Sequence, residues 1–317
     1  MGSVLMLSTL RQLNQYSFLK VYSLPDRPLS DPVIVHVCSF EEAKQYYNIT
    51  DFTIIELLAK KFWPGPLTIV GPANLKLIPE VCCANTGCVG IRCPNNPIAL
   101  QLIKESGFPI GAPSANKFGH ISPSQAMHVY SDFKDSELAI LDGGQCSFGI
   151  ESTVCKIDKE GIIILRKGGI SELMLSNEAS KLGIKVWSKS NIVEMNTKTD
   201  QISPGQYIRH YSPNIPTFLL GKGEKYSLDK CVLIDFGAQL EKYKKKAKLY
   251  IDLSVIGDVV EAINNLYNDL RMAECCLDAL AVLICNLYEG VKVNKDHLES
   301  LCDRVFRAAS GTYASII

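Results

Sequence analysis

Three arginines stand at the edges of apolar segments. Arg27 precedes Pro28 and a β-branched run, Arg92 follows Val89-Gly90-Ile91, and Arg166 follows Ile162–Leu165. A guanidinium keeps its charge at any working pH, and its planar fork meets carboxylate or phosphate oxygens two at a time. One arginine leaving a strand reads equally as a salt-bridged core edge or an anion ligand. Three of them, with the turn Pro113-Ser114-Ala115-Asn116 whose backbone amides can cradle an oxyanion, shift the reading to an anion site. His36, inside Val33–Val37, reads by itself as a core histidine. Glu151-Ser152-Thr153 offers a serine, but no G-x-S-x-G elbow surrounds it and no histidine is suitably placed, so covalent catalysis is not indicated.

The usual nucleotide signatures fail. There is no G-x-x-x-x-G-K-[ST], no G-x-G-x-x-G lies between a strand and a helix, and Lys222 between two glycines belongs to neither pattern. Cys82, Cys83, Cys88 and Cys93 cluster without the paired C-x-x-C steps that bring thiolates to one zinc. The string Ser203-Pro-Gly-Gln-Tyr-Ile-Arg-His-Tyr-Ser-Pro213 has two prolines stiffening a segment that holds Arg209, His210 and Tyr211. A flexible spacer has no need of these residues. The segment reads either as a strap packed on a domain or as a lid that stacks on a ligand and excludes water.

These residues need an alternating framework to position them, and the sequence supplies an α/β one. Strands are expected over 33–37, 67–70, 88–92, 110–112, 139–141, 153–157 and 162–165, with the last two joined around Lys159-Glu160-Gly161. Helices are expected over 40–47, 51–62 and 171–182. Another has Asn96 as its N-cap, Pro97 at its first position and Gly107 as its stop. Ser122-Pro-Ser-Gln125 reads as a capping box opening a helix toward Tyr130. The polar stretch 188–201 reads as a linker. A second α/β unit begins near Thr217, with strands over 232–236 and 249–253 and helices over 259–271 and 298–309. Leu280–Cys285 fits a strand or a buried helix, and periodicity does not separate them.

The 317 residues suffice for about two domains, and 33 basic against 33 acidic side chains leave no global field to draw the chain to nucleic acid or an anionic membrane. No apolar run reaches the length of a membrane span, so no membrane partner is expected. Twelve cysteines in a chain this long, with no signal peptide, read as reduced thiols. The expected compartment is the cytoplasm. The alternative is the mitochondrion, because the first 25 residues lack acidic side chains.

In this order, RPLSDPVIVHV (Arg27–Val37), FWPGPLT (Phe62–Thr68), VGIRCP (Val89–Pro94), GAPSAN (Gly111–Asn116), ESTV (Glu151–Val154), ILRKGG (Ile164–Gly169) and SPGQYIRHYSP resemble the YrdC-type threonylcarbamoyl-AMP synthases in their two-domain form. The resemblance implies a YrdC-like twisted mixed sheet with helices over 1–185, a linker and lid over 186–216, and a smaller C-terminal Rossmann-like α/β domain over 217–317. It implies a nucleotidyltransferase that condenses L-threonine, bicarbonate and ATP, with Mg2+, to threonylcarbamoyl-adenylate and pyrophosphate. The product then passes to a downstream threonylcarbamoyl transferase machinery that modifies tRNA. Arg27, Asp31, Cys88, Ser114, Asn116, Ser122 and Arg166, with Arg209, His210 and Tyr211 of the lid, fall on nucleotide positions. Arg27, Ser114 and Asn116 among them are the catalytic set. His36, Arg92, Ala112 and Ser152 fall on threonine positions. Two departures accompany the match: Met1–Lys20 lacks the family's P-T-E-T-V-Y-G-L-G stretch, and Pro25 replaces a lysine. An N-terminally incomplete chain is therefore expected, the alternative being a diverged member that binds nucleotide or double-stranded RNA without turnover.

Overall fold

A computed structural model describes residues 22, 26–136, 138–188, 201–205 and 207–317. Residues 1–20 and Pro25, on which the two departures rest, lie outside these, as does most of the polar stretch 188–201.

Seven strands build the first sheet: β1 (Val35–His36), β2 (Leu67–Pro72), β3 (Cys88–Arg92), β4 (Ile110–Gly111), β5 (Thr153–Asp158), β6 (Gly161–Arg166) and β7 (Lys185–Ser188), in the order β4-β1-β3-β2-β5-β6-β7. Pairing is mixed, with β1 parallel to β3, β2 antiparallel to β3 and parallel to β5, and β5 antiparallel to β6. The interior strands are apolar because helices cover them. Ile55, Leu58 and Phe62 of helix Thr53–Phe62 and Leu175 of helix Glu172–Ala179 are buried with Ile69, Ile91 and Ile164 in one core. Helix Pro97–Ser106 has the ends its sequence dictates: the Asn96 side chain accepts from the Ala99 amide, and Gly107 closes it at φ 69°.

Three local expectations change. The helix expected from Ser122 starts instead at Ala126, with no side-chain cap, because the Ser122 hydroxyl bonds Glu151. Residues 139–141 form no strand; Leu138 and Ile140 pack against Ala115, Val129 and Phe133 as a small separate cluster. The stretch Leu280–Cys285 resolves as strand β11 (Ala281–Ile284), buried at every position.

That strand lies at the centre of a second, wholly parallel sheet in the order β10-β9-β11-β8-β12. Its other strands are β8 (Thr217–Tyr226), β9 (Cys231–Asp235), β10 (Leu249–Asp252) and β12 (Tyr313–Ile316). Helices Val259–Glu274 and Leu298–Ala308 pack their buried residues onto it and face the first domain. Ile121, Ile150 and Tyr211 are buried in the same core as Leu266 and Val305. Gly149 approaches helix Val259–Glu274 so closely that a Cβ would stand 2.1 Å from the Ile263 carbonyl oxygen, so only glycine fits there. No helix among the described residues is long and apolar enough to cross a membrane.

Candidate active site

β1 runs parallel to β3 with His36 opposite Arg92, so the pleat puts both side chains on one face of the sheet. Both are buried. Arg92 commits Nε to the Gly65 carbonyl at 2.9 Å, which ties the Trp63–Pro66 turn to the strand end. Burial first, and Arg166 second, pull the Arg92 guanidinium down to about 10. Burial and then Arg92 push His36 down to about 3, so its imidazole is neutral at working pH. One strand along, the Thr68 hydroxyl lies 2.8 Å from that of Ser152. Arg166 donates to the Ser152 carbonyl from Nε at 3.1 Å and from Nη2 at 2.9 Å, and from Nη2 to the hydroxyl at 3.0 Å.

Neither Arg92 nor Arg166 has a carboxylate within ion-pair distance among the described residues, although both are at most 6% exposed. An unpaired charge in a protein interior costs several kcal/mol. That cost falls on Arg92, which Arg166 repels, whereas Arg166 acts on the carboxylates of Asp31 and Glu151.

Beside them Arg27, Ala112, Pro113, Ser114, Glu151 and Arg166 enclose a cavity with Pro204, Gly205, His210 and Tyr211. Its volume is about 20 Å3, room for roughly one water. Small-molecule sites are generally on the order of 300–1,000 Å3, so with Pro204, Gly205, His210 and Tyr211 where they stand the cavity is far smaller than such a site. Two buried polar atoms of its lining lack a hydrogen-bond partner, His210 Nδ1 and the Tyr211 hydroxyl, as do Asn116 Oδ1 and His36 Nδ1, which do not line it. Asp31 pairs with Arg27 at 3.0 Å but receives no well-directed hydrogen bond, and burial, against the pull of Arg27, lifts its carboxyl to about 6.

The stretch Tyr207–Ser212 is seated by residues of the first domain. Tyr207 and Ser30 share a hydrogen bond of 3.2 Å, the Ser212 amide donates to the Gly119 carbonyl at 3.0 Å, and Phe118 meets Tyr207 and His210 edge-on. Gly205 sits at φ 84°, and a Cβ there would stand 2.8 Å from the Tyr211 hydroxyl, so the close fold of the lid requires glycine.

Of the expected ligands, Arg27, Ala112, Ser114, Arg166, His210 and Tyr211 line the cavity; Asp31, His36, Arg92, Asn116, Ser122 and Ser152 do not, and Cys88 and Arg209 lie apart from it. Cys88 opens β3 while Arg92 ends it, a separation of roughly 13 Å at about 3.3 Å per residue, and its amide bonds Thr86 beyond the strand. Arg209 is exposed and lines an open cleft of about 830 Å3 with Lys117, His120 and Arg271. Ser122 is near, but its hydroxyl is committed to Glu151 Oε1 at 2.6 Å.

Three residues that sequence reasoning passed over belong to this region. Thr68 ends the FWPGPLT string and touches Ser152. Glu151 lines the cavity, and Arg304, on the second domain's last helix, reaches it at 2.8 Å. Burial would raise the Glu151 carboxyl, but Arg304, Arg166 and the Ser122 hydrogen bond outweigh it and hold it at about 2. No cluster of three or more His, Cys, Asp or Glu side chains able to hold a metal occurs among the described residues. The cysteines are free thiols, with Cys82, Cys83 and Cys93 packed in the core.

A family described as telomere recombination, covering the Sua5, YciO and YrdC proteins, matches residues 11–168, beginning upstream of the Arg27 string. A second, described as the C-terminal domain of threonylcarbamoyl-AMP synthase, matches residues 170–310. The threonylcarbamoyl-AMP synthase of Pyrococcus abyssi is 33% identical over 270 residues, 82% of this chain and 76% of that protein. The Schizosaccharomyces pombe enzyme of the same name is 35% identical over 254 residues, 71% of this chain and 61% of its own length. For the Bacillus subtilis enzyme, 34% identical over 197 residues, the alignment spans 55% of its length. The crystal structure of the P. abyssi Sua5 protein complexed with L-threonine superposes with a TM-score of 0.78 at 28% identity, covering 96% of this chain and 87% of that one. With both domain models matched in order and the two-sheet architecture shared throughout, the chain belongs to the threonylcarbamoyl-AMP synthase family, in its two-domain form, a family of enzymes that make an adenylate intermediate for tRNA modification.

Proposed function

We propose that this pocket joins L-threonine, bicarbonate and ATP into threonylcarbamoyl-adenylate and pyrophosphate. The observation that carries the reading is Arg92, a buried guanidinium with no carboxylate in ion-pair distance among the described residues and with Arg166 beside it. Substrate carboxylate and phosphate oxygens supply what it lacks. Arg92, with His36, Ala112 and Ser152 and the neighbouring Thr68, takes the amino acid. Arg27, Ser114, Asn116 and Arg166 take the nucleotide.

The chemistry needs no protein nucleophile. The threonine amine and bicarbonate give a carbamate with loss of water. A carbamate oxygen then bonds the α-phosphorus as the bond to the β-bridging oxygen breaks, and pyrophosphate leaves with that electron pair. The chain's contribution is positioning, charge neutralisation and exclusion of water. Mg2+ is expected to arrive on the phosphates, since it is usually held by phosphate oxygens, waters and one or two carboxylates rather than by a protein cage. Asp31, whose carboxylate oxygens accept no directed hydrogen bond, would be the side chain to hold it. Bound there, the ion would add neutralising charge. His210 and Tyr211 withdraw to admit ATP and return over it, which shields the carbamate from losing carbon dioxide.

Pyrophosphate release is the test. It should require ATP, L-threonine and bicarbonate together. Release that ignores threonine defeats the reading. Saturable binding of ATP and threonine without release favours a member that binds without turnover, and RNA binding alone, falling steeply with salt, favours an RNA module.

A further inference from the structure

The mechanism above makes no use of the second domain, yet that domain places a charge against the pocket wall. Arg304 is fully buried in helix Leu298–Ala308. Its Nε lies 2.8 Å from Glu151 Oε2, its Nη2 donates to the Lys167 carbonyl at 2.8 Å, and its guanidinium carbon stands 4.8 Å from the centroid of the Tyr211 ring. Tyr267, also of the second domain, donates to the same carboxylate at 3.0 Å.

We propose that Arg304 is a positioning residue for nucleotide binding: across the domain boundary it neutralises Glu151 and seats Tyr211, so that the cavity presents a net positive field to the phosphates. Glu151 lines the cavity between arginines that would receive a polyanion. A bare carboxylate there would oppose the ligand. Replacing it by an apolar residue would leave the Ser122 and Tyr267 hydroxyls without their acceptor, so the fold keeps the acid and cancels its charge from the other domain. Arg304 touches neither substrate nor reacting atoms in this scheme; it acts through Glu151 and Tyr211.

The inference rests on the reading that ATP enters this cavity, and the test separates the two. Titration calorimetry on the full chain compares Arg304→Met, Glu151→Gln and the double variant for ATP and for L-threonine. Arg304→Met should weaken ATP at least tenfold and leave threonine affinity within about twofold. Adding Glu151→Gln should restore most of the ATP affinity, because the opposing charge is gone.

The pH profile supplies a readout that loss of packing would not move. In Arg304→Met, Glu151 keeps Arg166, His210, Ser122, Tyr211 and Tyr267 around it but loses its strongest partner, so its carboxyl rises under burial. ATP affinity of Arg304→Met should therefore recover toward acid relative to the double variant, which has no group to titrate there. Should Arg304→Met not fold, Arg304→Lys, which keeps the charge without the fork, and Glu151→Gln alone carry the test: the former should lose less than tenfold, and the latter should bind ATP at least as tightly as the unaltered chain. The inference is overturned if ATP affinity is unchanged in Arg304→Met, or if ATP and threonine affinities fall together and Glu151→Gln restores neither. In the fallback, a Glu151→Gln chain that binds ATP more weakly also overturns it. An unaltered chain that fails to bind ATP overturns the site reading and this inference together.

Discussion

Arg92→Met should raise the stability of the ligand-free protein while abolishing most of its affinity for L-threonine. The first half follows from what Arg92 lacks. Its guanidinium is buried beside Arg166, has no carboxylate partner among the described residues, and is pulled down to about 10 from its ordinary value. At about 1.4 kcal/mol per pH unit, carrying that charge penalises the folded state by roughly 3 kcal/mol. Methionine keeps much of the apolar stem and removes the charge, at the loss of the hydrogen bond to the Gly65 carbonyl, about 1–2 kcal/mol with its unsatisfied oxygen. The balance is a gain on the order of 1 kcal/mol, or about 2–4 °C in Tm for domains of this size. The second half follows from the same missing partner: losing a charge-assisted bidentate contact to a carboxylate costs about 1.5–3 kcal/mol, a weakening of roughly 10- to 150-fold. Melting curves with and without L-threonine, read beside calorimetry, check both signs at once. A variant that melts several degrees lower and binds threonine normally would show that Arg92 is a structural residue and that the anion argument is mistaken.

Two further outcomes follow from the lid and the domain boundary. His120 bridges Asp132 of the first domain, at 3.3 Å, and Glu274 of the second, at 2.9 Å. Burial pushes His120 down, but the hydrogen bonds to those two carboxylates outweigh it and raise the imidazole to about 8. The stability it contributes is therefore fully present below about 6.5 and lost as pH rises through about 8. Protection of the amides along helix Val259–Glu274, taken relative to their intrinsic base-catalysed exchange rates, should fall between pH 7 and 9, and His120→Gln should flatten that fall; an unchanged fall in the variant would remove His120 from the account. Gly205→Ala forces a Cβ to 2.8 Å from the Tyr211 hydroxyl at φ 84°, where an L-residue costs about 1–2 kcal/mol, so limited proteolysis in the Tyr207–Tyr211 stretch should speed up roughly 5- to 30-fold without ligand. Equal cleavage rates would show that Gly205 does not hold the lid down.

The residues of the proposed anion site could be singled out because their signals are local. An arginine at a strand end, a Pro-Ser-Ala-Asn turn and a proline-bounded aromatic string each carry their own chemical signal, and the sheet order brings Arg27, Ser114, Arg166, His210 and Tyr211 to one cavity. Helix Pro97–Ser106 was legible for the same reason, since its cap, first proline and closing glycine lie within the helix or beside it. Where partners are distant in sequence the signal vanishes. Ser122 looks like a helix cap, yet its hydroxyl goes to Glu151, 29 positions away. Glu151 meets Arg304 across 153 positions, and an arginine on an amphipathic helix gives no sign of which face will be buried against another domain. β7 and β12 escaped notice because they are short edge strands whose partners, not their composition, make them strands. Cys88 was carried to the nucleotide by motif position, and its place at the opposite end of β3 from Arg92 becomes visible only when the strand is laid out in length.

The same distant contacts decide how the lid must open. A space of about 20 Å3 admits no ATP, so under the proposed function Gly205, His210 and Tyr211 would have to leave it before the nucleotide enters. The second domain holds them where they are. Arg307 donates to the Tyr207 carbonyl at 2.6 Å, the Ser212 hydroxyl donates to the Ala308 carbonyl at 3.0 Å, the Asn214 amide donates to Glu274 at 2.6 Å, and Tyr211 stacks on Tyr267 at 5.6 Å. Each such contact contributes about 0.5–1.5 kcal/mol net, so together they hold the closed form by a few kcal/mol, the usual gap for a minor state populated at the per cent level or below. Any ligand that requires the open form has its apparent affinity reduced by that fraction. Helices Val259–Glu274 and Leu298–Ala308 therefore set the cost of opening as well as the charge of the pocket. If the stretch is the lid proposed above, it lifts only when these helices release it or move with it, which would make substrate entry an event of both domains.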